Sequence, residues 1–492
     1  MQRGKSARHR VWWIVFGLCL AFTIWPTLGS TTTDWPTLRH DPARSGRCSF
    51  AILPPYQQAW VIFFEGEIIP THTEPIVVAG SLYIGTYRGN LYRIDALTGK
   101  IRWKCFLESP VLHSPCWNNG VLYVPTAGGL WAVEADTGGI LWKFQEDCGG
   151  FSGSPAVDSG LVLCGSRGGT FYALRTGDGN VVWQLSVGVP IRSSVAVGGG
   201  VAYFGAEDMR VYAVEVLSGK LLWKSEKLWG QTFRDAFPIL VADKVVIRTN
   251  PVLNFGAHIA SETAFLARQA GLPDNRWQTI DQYLRSSKIF GSQEQIRKEQ
   301  EAIRSWLRAE PWRQTFYILD VRTGFSSVIA PVLYTGGCAA VGNPPAVAPD
   351  GRLIVLYRTA FSNFSLGVAP FVGVGYLDVN TGDIEPIFHE HGLQPPWNTF
   401  WGTADEAQSL TTGGSLVYFC HQGTLSFLDL TTRRLVHIAG DRDSWGGFRN
   451  LPWALNEWHG PARAGLVLSG EMLFWQVGSR VIAIRGRLQH ED

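Results

Sequence analysis

The chain reads as all-β, an eight-bladed propeller of four-stranded antiparallel blades with seven as the fallback count, and three observations predict it. Trp103, Trp142, Trp183 and Trp223 recur at steps of 39, 41 and 40 residues. The same phrase surrounds each: RIDALTGKIRW (93–103), AVEADTGGILW (132–142), ALRTGDGNVVW (173–183) and AVEVLSGKLLW (213–223). The breaks between the apolar runs are short and rich in Gly, Asp and Ser, which supply turn geometry and positive φ. A period near forty built from strand-like runs is one supersecondary unit copied many times.

The copy over Ser154–Leu185 is the cleanest. Its apolar runs are Pro155–Val157, Leu161–Cys164, Thr170–Leu174 and Val181–Leu185, separated by Asp158-Ser159-Gly160, Ser166–Gly169 and Thr176–Asn180. Glycines so closely spaced leave no room for a helix of ten residues or more. On the outermost strand the tryptophan is placed to pack its indole on the next blade, at that blade's Thr-Gly turn. The docking residues expected from this are Trp60, Trp103, Trp142, Trp183 and Trp223 with Gly99, Gly138, Gly179 and Gly219. Burying apolar surface contributes about 25 cal/mol per Å2, so each indole makes the seam a stabilising interface.

Weaker copies follow in FYILDVRTG (316–324), GYLDVNTG (375–382) and SFLDLTT (426–432). The last, GLVLSGEMLFWQVGSRVIAIRG (465–486), ends after its third strand. The first apolar run past the leader, QQAWVIF (57–63), places Trp60 43 residues before Trp103, where an outer strand falls. The N-terminal strand is therefore expected to complete the last blade and cover its edge. Signatures at 95, 134, 175, 215, 320, 378, 429 and 484 make eight blades.

One interval breaks the period, the 105 residues from Glu215 to Asp320. The blade begins with PILVADKVVIRT (238–249) and resumes at WRQTFYILD (312–320). Between them GSQEQIRKEQEAIRSWLRAEP (291–311) reads as a helix: Ser292 and Gln295 have capping-box spacing, Ile296, Ile303, Trp306 and Leu307 share a face, and Pro311 stops it. SETAFLARQAGL (261–272) is a weaker helical stretch. The expectation is a helical insertion over 250–311 between the second and third strands of the fifth blade, serving either binding or as a cover for apolar surface.

Residues 1–10 carry Arg3, Lys5, Arg8 and Arg10 and no acid, and Val11–Trp25 is apolar, as in a secretory leader. Cleavage after about Gly29 and retention as a single-span anchor both stay open. The expected organisation is a leader over 1–29, a lead-in over 30–53, the propeller over 54–486 and a tail over 487–492. The bulk of the chain is then extracytoplasmic: periplasmic, secreted or tethered to the cytoplasmic membrane, with membrane contact only through an uncleaved N-terminal segment. Losing the leader removes four positive charges and takes the net charge from +2 to −2, which gives no support for nucleic-acid binding. A monomer is expected. Seven cysteines remain (Cys48, Cys105, Cys116, Cys148, Cys164, Cys338 and Cys420), and Cys105 with Cys116 flank one blade junction as a candidate pair.

The core (A/I)-x-(D/E)-x-x-(T/S)-G-x-x-x-W resembles the pyrroloquinoline-quinone-type propeller repeat, strongly over 74–224 and more weakly to 486. DWPTLRHDPARSG (34–46) is similar to the lead-in of many such bacterial propellers. The resemblance implies one of two branches: periplasmic quinone-dependent alcohol and sugar dehydrogenases, or non-catalytic scaffolds such as the propeller lipoprotein of the outer-membrane β-barrel assembly machinery. Dehydrogenases of the first branch use adjacent cysteines against the quinone and an oxygen-ligand set around calcium. No Cys-Cys dipeptide occurs here and no segment matches the calcium motifs, so no catalytic, cofactor or metal residue is assigned.

Other candidates compete with bland readings. His389 and His391 in HEH are placed to face one side of a strand around an ion, or to lie solvated in a loop. Arg248 and Arg358, at equivalent sites in VVIRT and VLYRT, suit a carboxylate grip or local ion pairs. Asp443, Trp445 and Trp453 sit in an aromatic loop suited to carbohydrate or peptide stacking, or simply to packing. The leading expectation is a scaffold binding a protein or peptide partner in the cell envelope, with no cofactor. The alternatives are a quinone- or metal-dependent oxidoreductase using pyrroloquinoline quinone and calcium in the central funnel, and a carbohydrate-binding propeller.

Overall fold

The computed structural model describes residues 33–70, 72–145, 149–252, 293–333, 344–358, 372–389, 410–421, 424–439 and 465–490. Eight sheets form, one per blade. Blade one is Ile76–Val78, Ser81–Gly85, Asn90–Asp95 and Ile101–Phe106. Blade two is Cys116–Asn118, Val121–Thr126, Gly129–Glu134 and Ile140–Phe144. Blade three is Ala156–Asp158, Leu161–Gly165, Thr170–Arg175 and Val181–Ser186, and blade four is Ala196–Gly198, Val201–Ala206, Arg210–Glu215 and Leu221–Lys224.

Blade five has three strands, Ile239–Val241, Lys244–Arg248 and Phe316–Asp320; a single bridge from Ile318 to Val328 stands where the fourth begins. Blade six is Ala346–Val347, Leu353–Arg358, Val372–Leu377 and Ile384–His389. Blade seven is Thr411–Gly413, Leu416–His421, Thr424–Asp429 and Leu435–Ala439, with Arg47–Cys48 added parallel to its innermost strand. Blade eight is Val467–Ser469, Met472–Val477, Arg480–His490 and the N-terminal strand Phe50–Phe63, paired antiparallel from Phe50↔His490 to Phe63↔Arg480. The two ends of the described chain thus share one sheet and close the ring.

The core lies between the blades. One buried cluster joins blades one and two, another two and three, another three and four, and so on round the ring, because each sheet is apolar on both faces in its middle strands. The eighth blade packs against both neighbours, its Trp475 and Phe474 sharing one buried cluster with Tyr418 of blade seven and Tyr92 of blade one. The insertion departs from the fifth blade between its second and third strands and carries the helix Gln293–Ala309, whose Ile303 and Leu307 are buried. Among the described residues no helix is long and apolar enough to cross a membrane.

Candidate functional site

A propeller can receive a ligand on its axis or on its rim. At the level of the innermost strands the axis is filled by the chain itself. Hydrogen bonds tie the segment 33–48 to blades one to seven. Trp35 exchanges backbone hydrogen bonds with Val77, and Trp117, Val197, Leu240, Val347 and Thr412 each donate a backbone N–H to a carbonyl between Pro36 and Gly46, at 2.8–2.9 Å. Two arginines complete the hub. Arg44 donates from Nε to Val195 O and from Nη2 to Pro155 O, both at 2.8 Å, and Arg39 donates from Nη2 to Pro345 O at 3.2 Å and to Leu410 O. Each acceptor is the residue just before an innermost strand, so each guanidinium gathers two blades.

Glu74, on the approach to blade one, adds blade eight. It accepts from Arg39 N at 2.8 Å, from Arg39 Nη1 at 3.3 Å and from Gly465 N at 3.1 Å. Both arginines are fully buried, and burial pushes the Arg44 guanidinium down to about 10, still cationic at neutral pH. Arg39, His40 and Arg44 all have φ between 60° and 76°, the left-handed region, at roughly 1–2 kcal/mol per residue. The surrounding hydrogen bonds hold them there. A Cβ on Gly46 would lie 1.9 Å from Arg39 Nη2, so only glycine fits beneath that guanidinium.

Around the hub lies a ring of polar side chains from the segments that enter blades one to five. His72 Nε2 stands 3.6 Å from Asp235 Oδ2, so the approaches to blades one and five, on opposite sides of the ring, meet across the axis. Asp235 also pairs with Arg234 at 3.1 Å, and its carboxyl is held below the usual range by His72 and Arg234 against the cost of burial. His113 is 1% exposed and burial lowers it to about 4. Its Nδ1 accepts from Ser114 N at 2.9 Å, which puts the proton on Nε2. Among the described residues His113 Nε2, Thr73 Oγ1, Ser152 Oγ, Ser154 Oγ and Arg192 Nε have no hydrogen-bond partner.

The rim differs. Trp60, Trp103, Trp142, Trp183 and Trp223 donate Nε1–H to Ala96 O, Ala135 O, Thr176 O, Val216 O and Val321 O of the following blade, at 2.8–3.1 Å. Each indole lies on a turn glycine, Gly99, Gly138, Gly179, Gly219 or Gly324, where a Cβ would come within 2.4–3.0 Å of the ring. A bulge just before each tryptophan turns it onto its neighbour. On the same outer strands Ile101, Ile140, Leu141, Val181, Val182, Leu221 and Leu222 are exposed, each at 38–53%, a row of aliphatic side chains along four consecutive open edges.

The remaining sequence candidates scatter. Arg248 ends the second strand of blade five, 4% exposed, with its guanidinium 5.3 Å from the Phe316 ring and Nη2 3.5 Å from Leu333 O. Arg358 ends the equivalent strand of blade six, but its side chain, like that of His389, lies outside the described residues, as do His391, Asp443, Trp445 and Trp453. The candidate pair Cys105–Cys116 is corrected: both are free thiols. Cys105 is on the outermost strand of one blade and Cys116 on the innermost strand of the next, whereas a disulfide needs Cα atoms within about 7 Å. Arg39, Arg44 and Glu74 were not singled out from sequence; the signal available was the lead-in itself, DWPTLRHDPARSG, which pairs two arginines with turn-forming residues.

The sequence profile of the family described as outer membrane protein assembly factor BamB matches residues 57–149 and 127–257, part of the closing strand, blades one to four and the first two strands of blade five. BamB of Yersinia pestis is 26% identical over 168 residues, covering 31% of this chain and 43% of that protein. The chain thus spans about two fifths of the length of the curated relatives it matches. Among solved structures, BamB from Moraxella catarrhalis superposes with TM-score 0.50 at 14% identity over 87% of this chain and 99% of its own. The quinohemoprotein alcohol dehydrogenase of Comamonas testosteroni superposes with TM-score 0.56 at 13% identity, over 94% and 82%. The structural likenesses show the fold. In sequence the chain resembles the quinone-type propeller repeat proteins, closer to the assembly-factor branch.

Proposed function

We propose that this chain is a non-catalytic propeller scaffold of the bacterial cell envelope that binds a protein or an extended peptide. The observation that carries the reading is the division between axis and rim: residues 33–48 pack the axis, while the outer edges of blades one to four stay open and aliphatic. An open strand edge supplies unpaired backbone donors and acceptors for an added strand, and alternate side chains on it supply specificity. The relatives' description as assembly factors supports an envelope partner, and the basic, then apolar, first 25 residues support an extracytoplasmic setting.

The quinone alternative requires a cofactor in the central funnel. Among the described residues, the fully buried Arg39 and Arg44 and their carbonyl partners occupy the axis at the level of the innermost strands, which speaks against a flat quinone at that level. The test is capture of partners from an envelope extract by the mature chain and by Leu141→Glu/Val182→Glu. The wild type is expected to retain a defined partner that the variant loses; an unchanged partner set removes the rim from the reading. Adding pyrroloquinoline quinone with calcium and following dye reduction with alcohols or sugars is expected to give no turnover, and tight quinone binding would sink the scaffold reading outright.

A further inference from the structure

One outer edge is not open. In blade six the insertion helix Gln293–Ala309 lies along the seam with blade five, and its Gln300 reaches the outermost strand Ile384–His389. Gln300 Nε2 donates to Ile384 O at 2.9 Å and Gln300 Oε1 accepts from Ile384 N at 3.1 Å. That donor and acceptor pair is what the backbone of an added strand would offer. Two residues along, the next outward-facing backbone position is Pro386, which has no N–H to offer. Arg304 anchors the same helix through Nη2 to Gly382 O at 2.9 Å and to the Asp383 carboxylate.

The effect shows in exposure. Ile384 is 4% exposed, whereas the residues two places after the turn glycine in blades one to four, Ile101, Ile140, Val181 and Leu221, are 38–47% exposed. We infer that the insertion helix is an edge guard: through Gln300 it occupies the strand-pairing groups of Ile384 and bars strand addition at blade six, directing an extended partner to the edges of blades one to four. The second half of that statement rests on the strand-addition reading above; the first does not.

The groove of about 850 Å3 beside the helix fits a guard better than a docking cleft. Most of its charges are paired within the groove. Arg352 pairs with Asp350 and Glu385 and lies 3.5 Å from the centre of the Tyr376 ring, and Glu301 pairs with Arg304 and Arg308. Little is left to recognise a partner.

The test uses Gln300→Ala, in which the buried Ile303 and Leu307 still hold the helix, and Ile303→Ser/Leu307→Ser/Pro386→Thr, in which the helix is released from the edge, both in the mature chain. By hydrogen exchange, the Ile384 amide is expected to exchange about tenfold faster in Gln300→Ala, the loss of one hydrogen bond, with the amides of Phe316–Asp320 unchanged. In the released variant a labelled peptide copying Val181–Ser186 is expected to restore protection at the Ile384 amide, and in the wild type to leave that amide unchanged. Unchanged exchange at Ile384 in Gln300→Ala, or a released variant whose Ile384 amide the peptide does not protect, overturns the guard. If the wild type does not bind the peptide while the released variant binds it at Ile384, strand addition at blades one to four falls and the guard stands.

Discussion

The ring has two kinds of seam. From blade eight round to blade five, each outer strand sends an indole onto the next blade's turn glycine, and the indole N–H caps a carbonyl there. Past blade five the position four residues after the turn holds Val328, then Pro386, then His437. In blades six and seven the bulge also moves, falling between Pro386 and Phe388 and between His437 and Ala439 instead of just before the staple position. Val328 reaches Gly382 as the indoles reach their glycines, at 2.8 Å from where a Cβ would be, but it offers no hydrogen bond. The helix supplies the missing polar contact through Arg304 to Gly382 O. A seam needs an apolar body and a donor; tryptophan carries both, and where it is absent two elements share the task.

The largest effect expected from this contrast is at Trp223, 9% exposed and bonded to Val321 O. Trp223→Ala should cost about 3–5 kcal/mol, and Val328→Ala about 1–2 kcal/mol, because the smaller side chain leaves a smaller cavity and strands no donor. Urea midpoints, read with hydrogen exchange at each seam, check the order. Equal losses at the two sites would mean that the seams are equivalent and the indole is incidental.

Acid should press on the indole-stapled side of the ring. His113 enters blade two, and burial lowers its imidazole to about 4 from an ordinary value near 6.5. The unfolded chain therefore takes up this proton first as pH falls. The stability it represents is fully present above about pH 6.5 and is lost progressively between about 6.5 and 4. At 1.36 kcal/mol per unit this amounts to about 3 kcal/mol. The groups facing it are Asp235, His72 and Arg44, and the Asp235 carboxylate opposes the shift. His113→Gln should flatten the midpoint-against-pH curve across that window; a curve as steep as wild type would assign the acid sensitivity elsewhere.

How much of this was legible follows from the same division. A forty-residue period, turn glycines and a tryptophan on five of the outer strands are local, repeated signals, and eight blades with the closing N-terminal strand could be read from them. The insertion showed itself because it breaks the period. The hub did not, because its residues act across the whole ring: Arg39 bonds partners 306 and 371 residues away, and no spacing within DWPTLRHDPARSG announces that. Gln300 was hidden for a similar reason. Its helix was readable from capping and apolar faces, but the residue that matters points to a strand 84 residues on, and a glutamine among charged neighbours looks like a solvated face.

Smaller tests bear on the turns. Gly179 has φ 72°, and a Cβ there would lie 2.7 Å from the Trp142 ring, so Gly179→Ala combines backbone strain with a clash and should cost about 1–3 kcal/mol. A midpoint within error of wild type would show that the indole can slide away without penalty.

The reciprocal change is the gentlest. In blade seven the turn is Asp429-Leu430-Thr431-Thr432-Arg433, and Arg433 stands where blades one to six have glycine, with φ 56°. Its guanidinium lies 3.7 Å from Glu385, with both side chains more than half exposed, a pair worth less than about 1 kcal/mol. Left-handed backbone costs a residue with a Cβ about 1–2 kcal/mol and glycine almost nothing, but glycine loses more conformational entropy on folding, which offsets part of the gain. Arg433→Gly should therefore stabilise the chain by about 0.5 kcal/mol, read as a small rise in urea midpoint with the slope unchanged. A fall instead would mean that the Glu385 contact ties blades six and seven together more strongly than an exposed ion pair should, and that this seam has a staple of its own.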